Sequence, residues 1–421
     1  MAHIAILSVP AYGHLNPVLP IAKELVRRGH RVSIFNDLSF EPLIRPTGAE
    51  FVAYPPGVIR LEDFSRTLKD GDLVAWLEMI FLATGPLVKS AGAALRADRP
   101  DLIAFDGVAL WGEMLATKLR LPSVSISTTF LFELWREMNG WREFVRYQMS
   151  VFPRLPGFIW GVNKMFFQGP LNLPWRLPLM PRQGTAMTLM LTSKELHPKT
   201  PFFEGRRFAF TGCSIEPATR LEQFDFSRLD GRPLLYVSLG TLHHGNTAFF
   251  HRAIEAFRDY PGQVLVSVGR GTDLSQFAGA PEHFIFAEAV PQLAVLERAH
   301  VFLTHAGLNS LHESLWSGVP MVAVPQQFEQ LRNAEAMRAA GAGLLIDSEA
   351  WGKPASAEAL RAAVADVEND HRRYAAAAAA LGQTLRAGGG YREAANIIEQ
   401  AATNRSAPVH PPVGIQPAAG R

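Results

Sequence analysis

A histidine and an aspartate each follow a short apolar run, and their chemistry suits proton transfer. His14 comes after the run Ile4–Val9, and Asp106 ends the run Leu102–Asp106. If these runs are strands of one parallel sheet, both side chains lie at its carboxyl edge, where ligands bind. A neutral imidazole takes a proton near pH 7, and a carboxylate fixes its tautomer. Each residue alone could be an exposed loop histidine or a helix N-cap. Together they predict a pair that deprotonates a hydroxyl.

A second group of polar residues surrounds a strand-to-helix turn. His305-Ala306-Gly307-Leu308-Asn309-Ser310 follows the apolar run Val301–Thr304. Gly307 lets a ligand approach the backbone closely, and the unpaired N–H groups of the next helix attract anions. His305 can donate a hydrogen bond to a phosphate oxygen. The turn therefore predicts a phosphate site, although such a turn alone is more often only a tight connection.

Further polar side chains make the second group more specific. Glu313 lies one turn into the helix and can accept hydrogen bonds from a hydroxyl pair such as a ribose. Glu329 and Gln330 follow the next apolar run, and a carboxylate beside an amide suits the hydroxyls of a sugar ring. The combination indicates a ligand site much more specifically than the strand-to-helix turn does alone.

Short apolar runs alternate with amphipathic stretches along the chain, which is typical of parallel sheets covered by helices. The predicted strands of the first half are Ile4–Val9, Arg31–Phe35, Phe51–Tyr54, Leu102–Asp106, Ser123–Ser127 and Met187–Thr192. Those of the second half are Leu234–Leu239, Val264–Val268, His283–Ala287, Val301–Thr304, Met321–Val324 and Gly343–Ile346.

The pattern predicts an α/β protein with two doubly wound, Rossmann-like domains facing across a cleft. We expect an acceptor-binding domain with the catalytic base at 1–200, a linker region at 201–232 and a donor-binding domain at 233–388. A helix at 389–403 is expected to pack back on the first domain. The Pro-, Ala- and Gly-rich tail at 404–421 is expected to be disordered.

Bulk composition excludes several classes of protein. The formal net charge of +2 gives no electrostatic case for binding nucleic acid. One cysteine, Cys213, cannot form an internal disulfide or a Cys-rich metal site. We find no apolar run long enough to span a membrane and no signal peptide, so a cytoplasmic protein is expected.

Several motifs together resemble the nucleotide-sugar-dependent glycosyltransferases of family 1, which have the GT-B fold. They are Val290-Pro291-Gln292, His305 to Ser310, Glu313, Gly318-Val319-Pro320 and Glu329-Gln330. The bacterial macrolide branch is the most similar, on the residues 9–17, 238–241 and 267–271. The resemblance covers roughly residues 3 to 350.

The resemblance implies a role for each matching position. The residues matching His305, Asn309 and Ser310 hold the diphosphate in that family. Glu313 matches the residue that binds the ribose, and Gln292 matches one that helps to hold the base and the ribose. Glu329 and Gln330 match the residues that hold the sugar. The implied donor-binding residues are Gly240, Thr241, Val290, Gln292, His305, Gly307, Asn309, Ser310, Glu313, Glu329 and Gln330, and the implied base and its aspartate are His14 and Asp106.

One position departs from the family. Its members usually carry a tryptophan just before Val-Pro-Gln, which stacks on the base, whereas this chain has Ala289. Base stacking must then be weaker, or another aromatic such as Phe286 supplies it. The choice between a UDP and a dTDP donor therefore stays open.

The resemblance implies a single displacement with inversion, in which a hexose moves from a donor such as UDP-glucose to a hydroxyl. The expected acceptor is an apolar small molecule such as a polyketide, macrolide, flavonoid or carotenoid. His305, the helix start and Thr241 would meet the charge of the leaving group, so no metal ion or other cofactor is expected. A monomer or homodimer is expected.

The acceptor pocket would lie in the first domain, where the family builds it. Aromatic residues between 128 and 182 are candidates for its lining, and those selected are Phe130, Trp135, Trp141 and Phe144. Ordinary core packing is the competing explanation for each. The excess of arginines and aromatics in this stretch could also give weak contact with an anionic membrane surface.

Three other functions remain open at this level. A nucleotide-sugar 2-epimerase on the same fold would need more acids near the sugar than Asp106 alone supplies. A non-catalytic auxiliary protein that binds the donor would be expected to lose His14 or Asp106. A lipid-binding module is suggested only by the aromatic stretch.

Overall fold

The structure is a computed structural model, and it describes residues 1–63, 73–131, 187–199, 208–219, 222–240, 246–347 and 353–403. Some predictions fall outside these residues: those for Thr241, Trp135, Trp141 and Phe144, and for the tail at 404–421.

Within the described part of the first half, seven strands form one sheet. They are β1 (His3–Leu7), β2 (Arg31–Asn36), β3 (Glu50–Ala53), β4 (Leu102–Asp106), β5 (Ser123–Ser127), β6 (Met187–Met190) and β7 (Phe208–Phe210). All pairs are parallel, in the order β3-β2-β1-β4-β5-β6-β7.

A second parallel sheet has six strands in the described residues from 222 onward. They are β8 (Leu234–Ser238), β9 (Gln263–Ser267), β10 (Phe284–Ala287), β11 (Ala299–Thr304), β12 (Met321–Ala323) and β13 (Gly343–Leu345). Their order is β10-β9-β8-β11-β12-β13, with every pair parallel. The predicted fold class, two Rossmann-like domains, is confirmed.

The strand order reverses once in each sheet, and both reversals matter for ligand binding. In the first sheet β1 has β2 on one side and β4 on the other, and in the second β8 lies between β9 and β11. The loops that follow β1 and β4 therefore diverge, as do those after β8 and β11. A crevice opens between them at the carboxyl ends of the strands.

The helices cover both sheets. The described α-helices are α1 (Tyr12–Leu15), α2 (Val18–Arg27), α3 (Glu41–Ile44), α4 (Leu73–Ala97), α5 (Leu110–Leu119), α6 (Thr247–Ala256), α7 (Gln292–Leu296), α8 (Leu308–Ser317), α9 (Phe328–Ala339), α10 (Ala357–Asn369), α11 (His371–Ala387) and α12 (Gly390–Thr403). Short 3₁₀ turns occur at Leu38–Phe40, Arg45–Thr47, Pro217–Thr219, Phe226–Arg228 and Leu274–Phe277. No described helix is long and apolar enough to cross a membrane.

Each sheet is buried on both faces, which explains the unbroken apolar runs of its strands. In β1, Ile4 and Ile6 pack into one core cluster, whereas Ala5 and Leu7 pack into another on the opposite face. Helix α2 covers the first of these faces, and Gly29, just after its C-cap, has a φ of 84° that only glycine adopts easily. The strand ends, where the polar side chains lie, are thereby held by a rigid core.

The last described helix returns to the first domain. Helix α12 packs on α2, and its apolar residues belong to the core of the first sheet. Arg28 donates hydrogen bonds to Asn396 at 2.7 Å and to Glu399 at 2.8 Å.

The segment predicted as a linker differs from the prediction in one element. Residues 208–210 pair with β6 as the edge strand β7 of the first sheet. An apolar run of three residues is too short to be recognised as a strand, and the surrounding Pro, Gly and charged residues obscured it. The carboxyl edge of the first sheet therefore extends one strand further than expected.

Candidate active site

His14 and Asp106 are in direct contact, as the sequence predicted. His14 lies in α1, just after β1, and its Nδ1 is 2.8 Å from Oδ2 of Asp106, the last residue of β4. The other carboxylate oxygen accepts a hydrogen bond from the backbone N–H of Val108 at 2.9 Å. Asp106 is buried, whereas 17% of the His14 side chain is exposed. The aspartate is thus fixed and the histidine can meet a ligand through Nε2.

Thr128 is a third member of this group that the sequence analysis missed. Its Oγ1 lies 2.8 Å from Nδ1 of His14 and 3.4 Å from Oδ2 of Asp106. Thr128 comes directly after β5, the neighbour of β4, so it reaches the same edge of the sheet. Its position after a strand was the signal that could have identified it.

The charges around His14 favour its protonated form. Burial lowers the pKa of the imidazole, but the charge of Asp106, its hydrogen bond and the more distant charge of Glu329 outweigh burial and raise the pKa above 6.5. Glu329 belongs to the second domain, so the two halves of the molecule influence each other here. A raised pKa makes His14 a stronger base once it is neutral.

His305 lies at the switch point of the second sheet, between two glycines. A Cβ on Gly307 would lie 2.5 Å from Nε2 of His305, and one on Gly240 would lie 2.4 Å from its Cε1. Gly240 follows β8 with a φ of 71°, and Ala306 has a φ of 61°, which is rare for a residue with a Cβ. Only glycines let the ring sit in this turn, and the left-handed alanine adds strain that the surrounding structure must hold.

Asn333 joins this turn to the helix that follows β12. Its amide nitrogen donates to the backbone carbonyl of Ala306 at 3.0 Å and to Oε1 of Glu329 at 2.6 Å. Burial raises the pKa of the Glu329 carboxyl, and Asn333 and His14 partly oppose that rise. Asn333 is fully buried and was missed by the sequence analysis, although it lies one helical turn after Glu329.

A second hydrogen-bonded group connects α8 to α7 and β8. Nε2 of Gln292 donates to Glu313 at 2.7 Å and to Ser310 at 3.3 Å. The Tyr236 hydroxyl donates to Oε1 of the same glutamine at 3.2 Å. Three predicted donor-binding residues are therefore together, with Tyr236 as an unpredicted support from β8.

Phe286 cannot replace the missing tryptophan. Its ring stacks on Phe277 at 4.7 Å and on Phe284 at 5.9 Å, both nearly parallel. Phe286 and Phe284 pack on one face of the second sheet, whereas Tyr236 packs on the other. Because Gln292 contacts Tyr236, the predicted nucleotide site is on the face that Phe286 does not reach. Ala289 itself is half-buried beside Val290.

The two switch points face each other across one cleft. The amide nitrogen of Asn309, in α8, donates to the carbonyl of Gly13, beside His14, at 2.9 Å. A small pocket lies next to this contact, and its lining includes Pro17, Thr128 and Glu313. Residues of both domains thus share one space.

Three predicted site residues have other roles in the structure. Phe130 is fully buried and packs edge-on against His197, so its ring belongs to the core and does not line a pocket. The side chain of Val290 is also in the core, which leaves only its backbone for a ligand. Oε1 of Gln330 accepts the backbone N–H of Gln326 at 2.8 Å, so that atom holds the loop before α9. Apolar residues next to a site are easily mistaken for its lining.

A substitution at Gly307 tests the placement of His305. We expect Gly307→Ala to push the imidazole out of the turn and to weaken binding of a nucleoside diphosphate by about 1.5–3 kcal/mol, the contribution of a hydrogen bond to a charged group. His305→Ala should weaken binding by the same amount, and the double variant should weaken it no further. Calorimetry with UDP and dTDP measures these affinities. Gly279→Ala is the control, because a Cβ on Gly279 would have no other atom within 4 Å. Undiminished affinity in Gly307→Ala contradicts the placement.

Known proteins are similar to this chain over most of its length. The family model described as "UDP-glucoronosyl and UDP-glucosyl transferase" matches residues 219–379. NDP-glycosyltransferase YjiC of Bacillus licheniformis is 32% identical over 380 residues, which cover 87% of this chain and 90% of that protein. Oleandomycin glycosyltransferase of Streptomyces antibioticus is 30% identical and covers 100% of this chain and 96% of its own length.

A solved structure is similar over almost the whole chain. The crystal structure of the glycotransferase of kitacinnamycin has a TM-score of 0.79 and 31% identity, and the match covers 95% of this chain and 98% of that one. Such identity over almost the full length of both chains confirms the predicted resemblance. The protein therefore belongs to the UDP-glycosyltransferase family of the GT-B fold and is a transferase that uses a nucleotide-sugar donor.

Proposed function

We propose that the protein transfers a hexose from a nucleotide diphosphate sugar to a hydroxyl of an apolar small molecule, with inversion at the anomeric carbon and without a metal ion. The observation that carries the proposal is the shared cleft. The His14–Asp106 pair of one domain and the His305 turn of the other are linked there by the hydrogen bond from Asn309 to Gly13.

The first domain supplies the base. Nδ1 of His14 faces Asp106 and Thr128, so Nε2 is the atom that takes the proton from the acceptor hydroxyl. As the proton moves, the buried carboxylate of Asp106 stabilises the imidazolium. The oxygen forms its bond to the anomeric carbon, and the bond from that carbon to the diphosphate oxygen breaks.

The second domain receives the leaving group. The electron pair of the broken bond stays on the diphosphate, whose charge is met by the N-terminus of α8, by Ser310 and by His305. Gln292 and Glu313 are already hydrogen-bonded to each other and are placed to hold the ribose. Glu329, held by Asn333, is the proposed ligand of sugar hydroxyls.

The names of similar proteins support an apolar acceptor of small size. They refer to oleandomycin and to kitacinnamycin. The intact His14–Asp106 contact argues against an auxiliary protein that has lost catalysis, and the relatives do not favour an epimerase.

Loss of the base should abolish transfer. We expect His14→Ala to lose sugar transfer while UDP affinity stays within about twofold, because the base acts on the acceptor side. In the wild-type protein kcat/KM should fall as the pH drops below the pKa of His14, which lies above 6.5, because only the neutral ring accepts a proton. Asp106→Asn should move this fall to lower pH and reduce the maximum rate. Near-normal transfer by His14→Ala with an ordinary alcohol would refute the assignment.

Chelation tests the leaving-group chemistry. With the donor and acceptor held constant, we expect excess EDTA to leave the initial rate unchanged, because protein groups alone meet the diphosphate charge. Addition of Mg²⁺ to the treated protein serves as the control for indirect effects. A rate that disappears with EDTA and returns with the metal would overturn the metal-free proposal.

A tryptophan at position 289 should restore base stacking. We expect Ala289→Trp to tighten UDP and dTDP binding by about 1–3 kcal/mol, the contribution of a base stacked on an aromatic ring. Phe286→Leu should leave the affinity unchanged, since that ring packs on the other face of the sheet. Calorimetry compares both variants with the wild type. Weaker binding in Phe286→Leu alone would show that the base site has been assigned to the wrong face.

A further inference from the structure

The carbonyl of Gly13 lacks a helical partner because residue 17 is proline. The chain runs in helical conformation from α1 through Asn16 and Pro17 into α2. The carbonyl of Ala11 accepts from the N–H of Leu15, and that of Tyr12 accepts from Asn16, both at 2.9 Å. The next bond of this series would join the N–H of residue 17 to Gly13, and proline has no N–H.

The second domain supplies the missing donor. Nδ2 of Asn309 lies 2.9 Å from the Gly13 carbonyl oxygen, although the two residues are 296 positions apart. Asn309 is the second residue of α8, directly after the His305 turn. A Cβ on Gly13 would lie 4.0 Å from the same nitrogen, so no side chain of the loop stands between them.

We propose that Asn309 is a positioning residue that sets the catalytic His14 relative to the bound donor. The inference rests on the proposed function. By holding the carbonyl that precedes His14, the amide fixes the loop of the base against the helix whose N-terminus receives the diphosphate. Small errors in this distance matter because the oxygen must attack in line with the leaving group. Pro17 keeps the carbonyl available for this bond.

The geometry also explains how one side chain can serve two partners. The amide nitrogen carries two hydrogens, and Gly13 uses one of them. The second can donate to a phosphate oxygen at the start of α8. Donor binding and placement of the base would then be coupled through a single nitrogen.

Pro17→Ala separates positioning from phosphate binding. It restores a backbone N–H that can reach the Gly13 carbonyl within the helix, and it leaves the His305 turn unaltered. We expect kcat at saturating donor and acceptor to fall about 2- to 10-fold, the range of one hydrogen bond, while UDP affinity by calorimetry stays within about twofold. Asn309→Ala should lower kcat at least as much and also weaken UDP binding.

Pro20→Ala is the matched control. Pro20 is buried in the same helix, and its replacement offers an N–H to the carbonyl of Asn16 instead of Gly13. We expect its kcat to equal that of the wild type. In the Asn309→Ala background, Pro17→Ala should have no further effect on kcat, because the bond with which the new N–H competes is already absent. An unchanged kcat in Pro17→Ala, equal losses in both proline variants, or additive losses in the double variant would each overturn the proposal.

Hydrogen exchange provides a readout that does not need catalysis. Without donor, the amides of residues 12–16 should exchange faster in Asn309→Ala than in the wild type, because the loop has lost its anchor. If the wild-type protein transfers no sugar to any acceptor, the proposed function fails, while faster exchange would still support the anchor. Identical exchange in the two proteins would contradict it.

Discussion

The reversal of strand order in each sheet is the constraint on which the active site depends. Loops diverge only between β1 and β4 and between β8 and β11 in the described sheets, so each domain opens one crevice at these strands. His14 and Asp106 lie at the first reversal, and Gly240 and His305 at the second. Because the crevices face each other, a base and an anion site on separate sheets can act on one bond.

Holding polar groups at these strand ends requires close packing and some strain. The ring of His305 fits only because positions 240 and 307 lack a Cβ, and Ala306 adopts a left-handed conformation. The buried amide of Asn333 fixes this conformation by bonding the Ala306 carbonyl. The second domain therefore presents the groups proposed to bind the diphosphate in a preformed arrangement, and this arrangement lowers the reorganisation needed when a donor binds.

Much of this arrangement could be predicted from the sequence. Unbroken apolar runs identified twelve strands, because strands buried on both faces need them. The contact between His14 and Asp106 followed from their positions at strand ends, and that between Gln292 and Glu313 agrees with the family resemblance. The prediction that Phe130 lines the acceptor pocket was wrong, because an aromatic residue after a strand can enter the core as easily as it can line a cleft.

Other features depend on contacts that no local pattern reveals. The apolar run of strand β7 is only three residues long, which is too short to recognise. Asn309 and Gly13 are far apart in sequence, and only the folded chain shows that a proline prepares the carbonyl for the amide. Thr128 and Asn333 act through neighbours on adjacent elements, so their roles require the order of the strands.

The stereochemistry of the product tests the account most directly. In the proposed single displacement, the hydroxyl attacks the anomeric carbon from the side opposite the leaving diphosphate. An α-linked nucleotide-sugar donor should therefore give a β-linked product in one step, which the coupling of the anomeric proton in the NMR spectrum identifies. An α-linked product would mean retention, and would contradict a single displacement between the two domains.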